Sequence, residues 1–262
     1  MNADCAFVTG KSHRVCQDYA RSKGNYVIIS DGCSSIPDSD FGSRLLVKIA
    51  EESPDPFDIK QVIIDANSVV TSLALPKYCT DATLLFAKVE DSNVIAKAWG
   101  DGVIAAKKTN GDIEAWNITY PSGYPMYPSY LIDDRGEKLT NMFNGNNRMA
   151  EVWNIKGEIE KWGNWSVESA DHVIAETVEN AFEVRLKKAD YSMVAIFTDG
   201  ITSFVDGQLC SVHWRKILRQ MLDIPAVKGE FVQRQMNWMV KECIKNKWKH
   251  DDDFTMGAIN IG

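Results

Sequence analysis

Hydrophobic and polar positions along this chain follow two periods. Short apolar runs rich in Val, Ile and Phe recur at residues 5–9, 26–30, 83–89, 94–99, 103–107, 193–198 and 254–261, and each predicts a strand. Helical spacing governs three other segments. Phe41, Leu45, Leu46, Ile49 and Ala50 recur every three or four positions within residues 40–52, and a second such pattern covers residues 59–73, after Pro54 and Pro56. The third, residues 231–248, places Val232, Met236, Met239, Val240, Cys243 and Ile244 on one face and leaves Arg234, Lys241, Lys245 and Lys247 as its solvated side. Between the runs at 103–107 and 113–118, Asn110-Gly111 predicts a tight hairpin and therefore antiparallel pairing.

Residues 120–165 follow neither period. Pro121, Pro125, Pro128, several tyrosines, the run Asn144-Gly145-Asn146-Asn147 and three tryptophans make this stretch an irregular insertion, either a flap over a site or a surface excursion with its own aromatic cluster. No repeat, low-complexity tract or Gly/Ser linker divides the chain, so residues 1–262 read as a single domain. With 45% hydrophobic and 25% charged residues, that length suffices for a buried core, which excludes a disulfide mini-protein or a disordered chain. The formal charge of −7 argues against a phosphate-backbone-binding surface, and no nucleic-acid partner is expected. Six scattered cysteines without a Cys-x-x-Cys pair fit a reducing compartment. The start, Met1-Asn2-Ala3-Asp4-Cys5, carries no basic or apolar targeting region and no long apolar span follows, so the expected location is cytoplasmic, without a membrane partner.

Candidate chemistry gathers at the ends of the predicted strands. The runs at 26–30 and 193–198 both end in Asp-Gly, Asp31-Gly32 and Asp199-Gly200, and the run at 94–99 ends in Gly100-Asp101-Gly102. Taken singly, each Asp-Gly pair is a turn signal. Asp31 differs, because a helix rather than a hairpin partner follows it, and a carboxylate beside an accessible Gly carbonyl suits a hard cation. Asp251-Asp252-Asp253 precedes the last strand, and Cys16-Gln17-Asp18 lies near the start. Brought together, so many carboxylates repel one another unless cations neutralise them.

In this order the blocks resemble the metal-dependent protein phosphatases of the 2C type, bacterial branch. They read Gly10-Lys11-Ser12-His13-Arg14-Val15-Cys16-Gln17-Asp18, Asp31-Gly32 with Gly42, Thr80-Asp81-Ala82-Thr83-Leu84, Gly100-Asp101-Gly102, Thr198-Asp199-Gly200 and Asp252-Asp253-Phe254-Thr255. The resemblance implies an α+β fold, a four-layer αββα sandwich of two antiparallel sheets flanked by helices. It implies Mg²⁺ or Mn²⁺, two ions and a third, weaker one. Asp31 would bridge two of them, the Gly32 carbonyl would bind one, Asp199 and Asp252 would hold the other, and Asp101 with Asp199 the third. Asp18 would orient the attacking water, with no covalent phosphoenzyme. The implied activity is hydrolysis of phosphoserine and phosphothreonine in proteins, opposite a Ser/Thr kinase. The alternatives are a catalytically weak regulatory module on the same fold, or a phosphatase of small phospho-substrates.

Three departures qualify the resemblance. His13 stands where many relatives carry a phosphate-binding Arg, with Arg14 beside it, so either is a candidate for the substrate phosphate; the alternative is a structural hydrogen-bonding His13 and an Arg14 that is surface charge. Gln17 replaces an acidic residue. Cys33 stands where animal relatives carry a His, leaving no assigned general acid; Cys33 and Cys16 are either small buried hydrophobes or oxidisable thiols.

Overall fold

Burial on both faces turns strand sequences into unbroken apolar runs, while helices covered on one side keep a stripe. The computed structural model of the protein describes residues 1–53, 55–120, 122–142, 148–155, 167–168, 172–174 and 181–262. Its strands are β1 (Asn2–Val8), β2 (Asp18–Lys23), β3 (Tyr26–Asp31), β4 (Leu84–Glu90), β5 (Asn93–Trp99), β6 (Gly102–Lys108), β7 (Ile113–Thr119), β8 (Met149–Ile155), β9 (Val167–Glu168), β10 (His172–Ile174), β11 (Phe182–Lys187), β12 (Tyr191–Phe197), β13 (Phe204–Val205), β14 (Lys249–His250) and β15 (Phe254–Asn260). Its helices are α1 (Ser39–Glu52), α2 (Ile59–Ser72), α3 (Arg135–Met142), α4 (Trp214–Leu222) and α5 (Phe231–Asn246).

Two sheets carry the fold. The larger runs β1-β15-β12-β6-β7-β8-β10 with β9 also on β8, the smaller runs β11-β5-β4-β3-β2, and every pairing is antiparallel. Val27, Ile29, Leu85 and Ala96 of the smaller sheet pack with Ile104, Val194, Ile196 and Ile259 of the larger to make the central layer of the core. Ile28 points the other way, as a period of two requires, and meets Leu46, Val47, Val62 and Ile63 of α1 and α2. On the far side Ala195, Phe197, Met256 and Ala258 are covered by Ile217, Met221, Met236 and Met239 of α4 and α5. The architecture is the four-layer αββα sandwich.

The hairpin turn forms between β6 and β7, with Gly111 at φ 92° and its N–H bonded to the Lys108 carbonyl. Regular structure also arises where no apolar run points to it. β2 (Asp-Tyr-Ala-Arg-Ser-Lys) is a polar edge strand, β11 an edge strand with Phe182, Val184 and Leu186 turned inward, and α4 a short amphipathic helix. Nor are residues 120–165 irregular throughout. Pro128–Ile132 forms a 3₁₀ turn, α3 follows, and β8 pairs with β7 along its whole length. The Asn144-Gly145-Asn146-Asn147 run, Trp162 and Trp165 lie outside the described residues.

Candidate active site

Strand ends from both sheets meet at one end of the sandwich. Asp31 is the last residue of β3 and faces Asp18, the first of β2, directly across the register. Asp101 sits in the turn between β5 and β6, where Gly102 adopts φ 137°, a backbone conformation that a side chain would strain. Asp199 opens the 3₁₀ turn Asp199–Thr202 after β12, and Asp252 lies just before β15. These last two segments press together at Gly200, where a Cβ would lie 1.7 Å from the Asp253 carbonyl oxygen.

Asp31, Asp101, Asp199 and Asp252 line one cleft of about 460 Å³, together with Gly32, Cys33, Tyr124, Pro125, Tyr127 and Tyr130. Asp18 lies behind them, fully buried, with one carboxylate oxygen accepting from Thr198 Oγ1 at 2.8 Å and the other, Oδ1, without a partner. The Asp31 carboxyl lies beside those of Asp18 and Asp199. Burial, reinforced by neighbouring carboxylates, holds Asp31 and Asp199 well above the usual carboxylate range. Burial also pushes Asp18 up to about 7 and Asp101 up to about 6, and raises Asp252. Among the described residues no three His, Cys, Asp or Glu side chains are already closed around a common point. What the cleft offers is a surplus of hard, anionic oxygen donors and an unpartnered buried oxygen behind them, a donor set that fits a magnesium-class dication.

The three consecutive aspartates before β15 have different fates. Asp252 borders the cleft, with 40% of its side chain exposed. Asp253 is buried and accepts from the Gly10 N–H at 2.7 Å and the Gln17 N–H at 2.5 Å, with its Oδ2 2.9 Å from His13 Nδ1. Loop 10–17 is further tied by Lys11 and Ser12 N–H groups to the carbonyls of His250 and Asp251. His13 therefore faces Asp253 and Asp252, and Arg14 is exposed on the same loop; neither borders the cleft. The Gln17 side chain donates to Ser39 Oγ at the start of α1, and the Gln17 backbone carbonyl accepts from the Gly32 N–H. Cys33 borders the cleft; Cys16 is buried away from it, and burial pushes its thiol up to about 12. His250 packs on the Phe204 ring, outside the cleft.

The cleft's second wall comes from the stretch that the sequence left open as a flap or a surface excursion, but its anchor was not foreseen. Tyr124, Pro125, Tyr127 and Tyr130 come from the stretch after β7, and the Arg135 guanidinium grips the buried Asp81 carboxylate with Nη1 at 2.5 Å and Nη2 at 3.1 Å. The tyrosine run was the only local signal, and it does not reveal Asp81 as the anchor.

Two face-to-face antiparallel sheets, helices outside and aspartates clustered at one end define the class to which this architecture belongs, the sandwich of the protein phosphatase 2C type. No protein-family model and no curated protein sequence matches the chain. Solved structures match it along almost its whole length. The serine/threonine phosphatase Stp1 from Staphylococcus aureus superposes with a TM-score of 0.55 at 13% identity, covering 99% of this chain and 94% of that one. The Mycobacterium tuberculosis serine/threonine phosphatase PstP/Ppp gives 0.55 at 10% identity, covering 99% and 97%. The serine-threonine phosphatase 2C from Toxoplasma gondii gives 0.53 at 13% identity, covering 98% and 94%. At such identities the likeness is one of fold.

Proposed function

We propose that the protein is a Mg²⁺- or Mn²⁺-dependent phosphomonoesterase acting on phosphoserine and phosphothreonine in proteins. The observation that carries this reading is the convergence of Asp31, Asp101, Asp199 and Asp252 on one open cleft, with Asp18 buried behind them. A bound pair of dications would supply Lewis acidity there, lowering the pKa of water toward neutrality and offsetting charge that builds on the phosphoryl oxygens.

In this reading Asp31, the Gly32 carbonyl, Asp199 and Asp252 would hold the two ions, and Asp101 with Asp199 would hold a third, weaker one. Asp18, fixed by the Thr198 hydroxyl, orients the attacking water. Loop 10–17 carries the two candidates for the substrate phosphate, His13 and the exposed Arg14, and would have to move toward the cleft for either to reach it. His13 keeps the same loop closed on Asp253. No described helix is long and apolar enough to cross a membrane, and the net charge of −7 argues against a nucleic-acid partner. The physiological substrate is a phosphoprotein, the product of a Ser/Thr kinase.

The test is hydrolysis of p-nitrophenyl phosphate and of a phosphothreonine peptide, with Mn²⁺ and with chelator. Metal-dependent turnover of both, lost in Asp199→Ala protein whose circular dichroism is unchanged, is the expected result. Turnover that survives chelation or the Asp199 substitution would overturn the reading. Cleavage of the small ester alone would point to a small phospho-substrate.

A further inference from the structure

The wall of the cleft opposite the aspartates has an anchor of its own. Thr83 N–H donates to the Asp31 carbonyl at 2.8 Å, Cys33 N–H donates to the Asp81 carbonyl at 2.9 Å, and Gly32 bridges Ala82. The backbone of residues 81–83 thus splints the turn that carries Asp31. From the same segment the Asp81 side chain reaches the other way. Its carboxylate, 5% exposed, accepts from Ser129 Oγ at 2.7 Å and from two guanidinium nitrogens of Arg135. Arg135 is also held by Asp133 at 2.7 Å and lies between the rings of Tyr78 and Tyr130, 4.1 and 4.5 Å from their centres. Tyr130 in turn packs edge-on against Tyr127, 5.5 Å between centroids.

We propose that Asp81, Ser129 and Arg135 form a latch that positions the tyrosine wall at residues 123–130 over the metal-binding turn, and that this wall reads the polypeptide around the phosphorylated residue. The inference deepens the phosphatase reading and rests on it. Asp81 is a positioning residue: it borders the cleft, but its carboxylate is taken up by Ser129 and Arg135, and this one residue ties the splint of the Asp31 turn to the wall. A fork-shaped, two-nitrogen grip sandwiched between aromatic rings fixes direction as well as distance, which a lysine cannot reproduce. Because a small ester occupies only the aspartate side, loosening the wall separates the two kinds of substrate.

The experiment uses the full chain with Ser129→Ala, Arg135→Lys and Arg135→Gln. Two readouts are taken: steady-state kinetics on a phosphothreonine peptide and on p-nitrophenyl phosphate with Mn²⁺, and hydrogen exchange at residues 122–135. The Arg135 variants are expected to raise KM for the peptide about tenfold while kcat on the small ester stays within about twofold, since lost positioning costs orientation rather than chemistry. Ser129→Ala, which removes one neutral hydrogen bond and leaves the ion pair intact, is expected to move the same way by less and guards against an Arg135 variant that does not fold. Faster exchange at residues 122–135 accompanies both. Unchanged exchange in Ser129→Ala and in the folded Arg135 variants overturns the latch. Equal losses on both substrates overturn the wall's role in reading polypeptide. A wild-type protein that hydrolyses neither substrate fails the phosphatase reading instead, and the exchange experiment still decides the latch on its own.

Discussion

Asp253→Ala should unfold the protein more readily than Asp252→Ala, although the two residues are neighbours in the same acidic triplet. Alanine at 253 strips the acceptor from the Gly10 N–H, which is buried, and from the Gln17 N–H, which is half-buried. A buried donor left unsatisfied costs roughly 1–3 kcal/mol, about 2 kcal/mol for the buried Gly10 N–H and about 1 kcal/mol for the half-buried Gln17 N–H. Two such losses sum to about 3 kcal/mol of stability, or about 6–12 °C in melting temperature for a chain of this size. The same change frees His13 and with it the hold of β15's start on loop 10–17. Asp252 is different. Its side chain is 40% exposed and sits beside other carboxylates, so Asp252→Ala should leave the chelated protein as stable as wild type or slightly more stable, while abolishing metal-dependent turnover. Urea unfolding in chelator, followed by intrinsic tryptophan fluorescence, measures both variants on one scale. A midpoint for Asp253→Ala within error of Asp252→Ala would refute the division of labour read from these contacts.

Three further outcomes follow from the same geometry. Mn²⁺ should raise the melting temperature of the wild type, and Asp31→Asn should blunt that increment, because one of the carboxylates that makes the metal-free cluster repulsive is gone; equal melting in chelator and in Mn²⁺ would count against it. In chelator, stability should decline as pH rises from about 4 toward 7: Asp101 and Asp18 keep protons in the folded state up to about 6 and about 7 that an unfolded chain has already released, so the folded state binds more protons across that window. Asp101→Asn should therefore gain on wild type between pH 5 and 7, and a pH-independent gap would reject the assignment. Asp4 Oδ2 accepts from the N–H groups of Val232 and Gln233 and so caps α5 from β1, a role that the residue preceding the helix, Glu230, does not fill. Asp4→Ala should cost about 1–2 kcal/mol in urea unfolding, and no loss would show the cap to be idle.

The layer order was legible because strands buried on both faces have little freedom in composition. Val27-Ile28-Ile29 and Val194-Ala195-Ile196-Phe197 have almost no exposed atoms, so their runs carry the signal. β2 left no such trace: as an edge strand it buries only alternate residues, and it is held by a tight turn at Gly24, φ 59°, rather than by hydrophobicity. The aspartates were legible for a topological reason. When β3, β5, β6, β12 and β15 run antiparallel through two stacked sheets, the Asp-Gly turns at their ends have to come out at the same end. Loop 10–17 was not legible in that way. Counting back from Asp18 makes His13 and Arg14 equivalent candidates, and nothing local reveals that Asp253, more than two hundred residues later in the chain, faces His13. The order of residues 122–142 depends similarly on Asp81, a partner about fifty residues away.

The division between Asp252 and Asp253 also explains why the site can tolerate its own charge. A cluster of carboxylates destabilises the fold that builds it, since burial withdraws water and the neighbours repel. Three features offset this. Asp253 spends its charge on backbone donors, Asp81 spends its charge on Arg135, and Asp18 accepts from the Thr198 hydroxyl. The uncompensated negative charge is thereby confined to Asp31, Asp101, Asp199 and Asp252, all facing the cleft. Each acid that is satisfied by the protein supports the scaffold; each that is not is left for a cation. A site arranged this way is least stable when empty and deprotonated, and the free energy released by filling it becomes both metal affinity and folding stability.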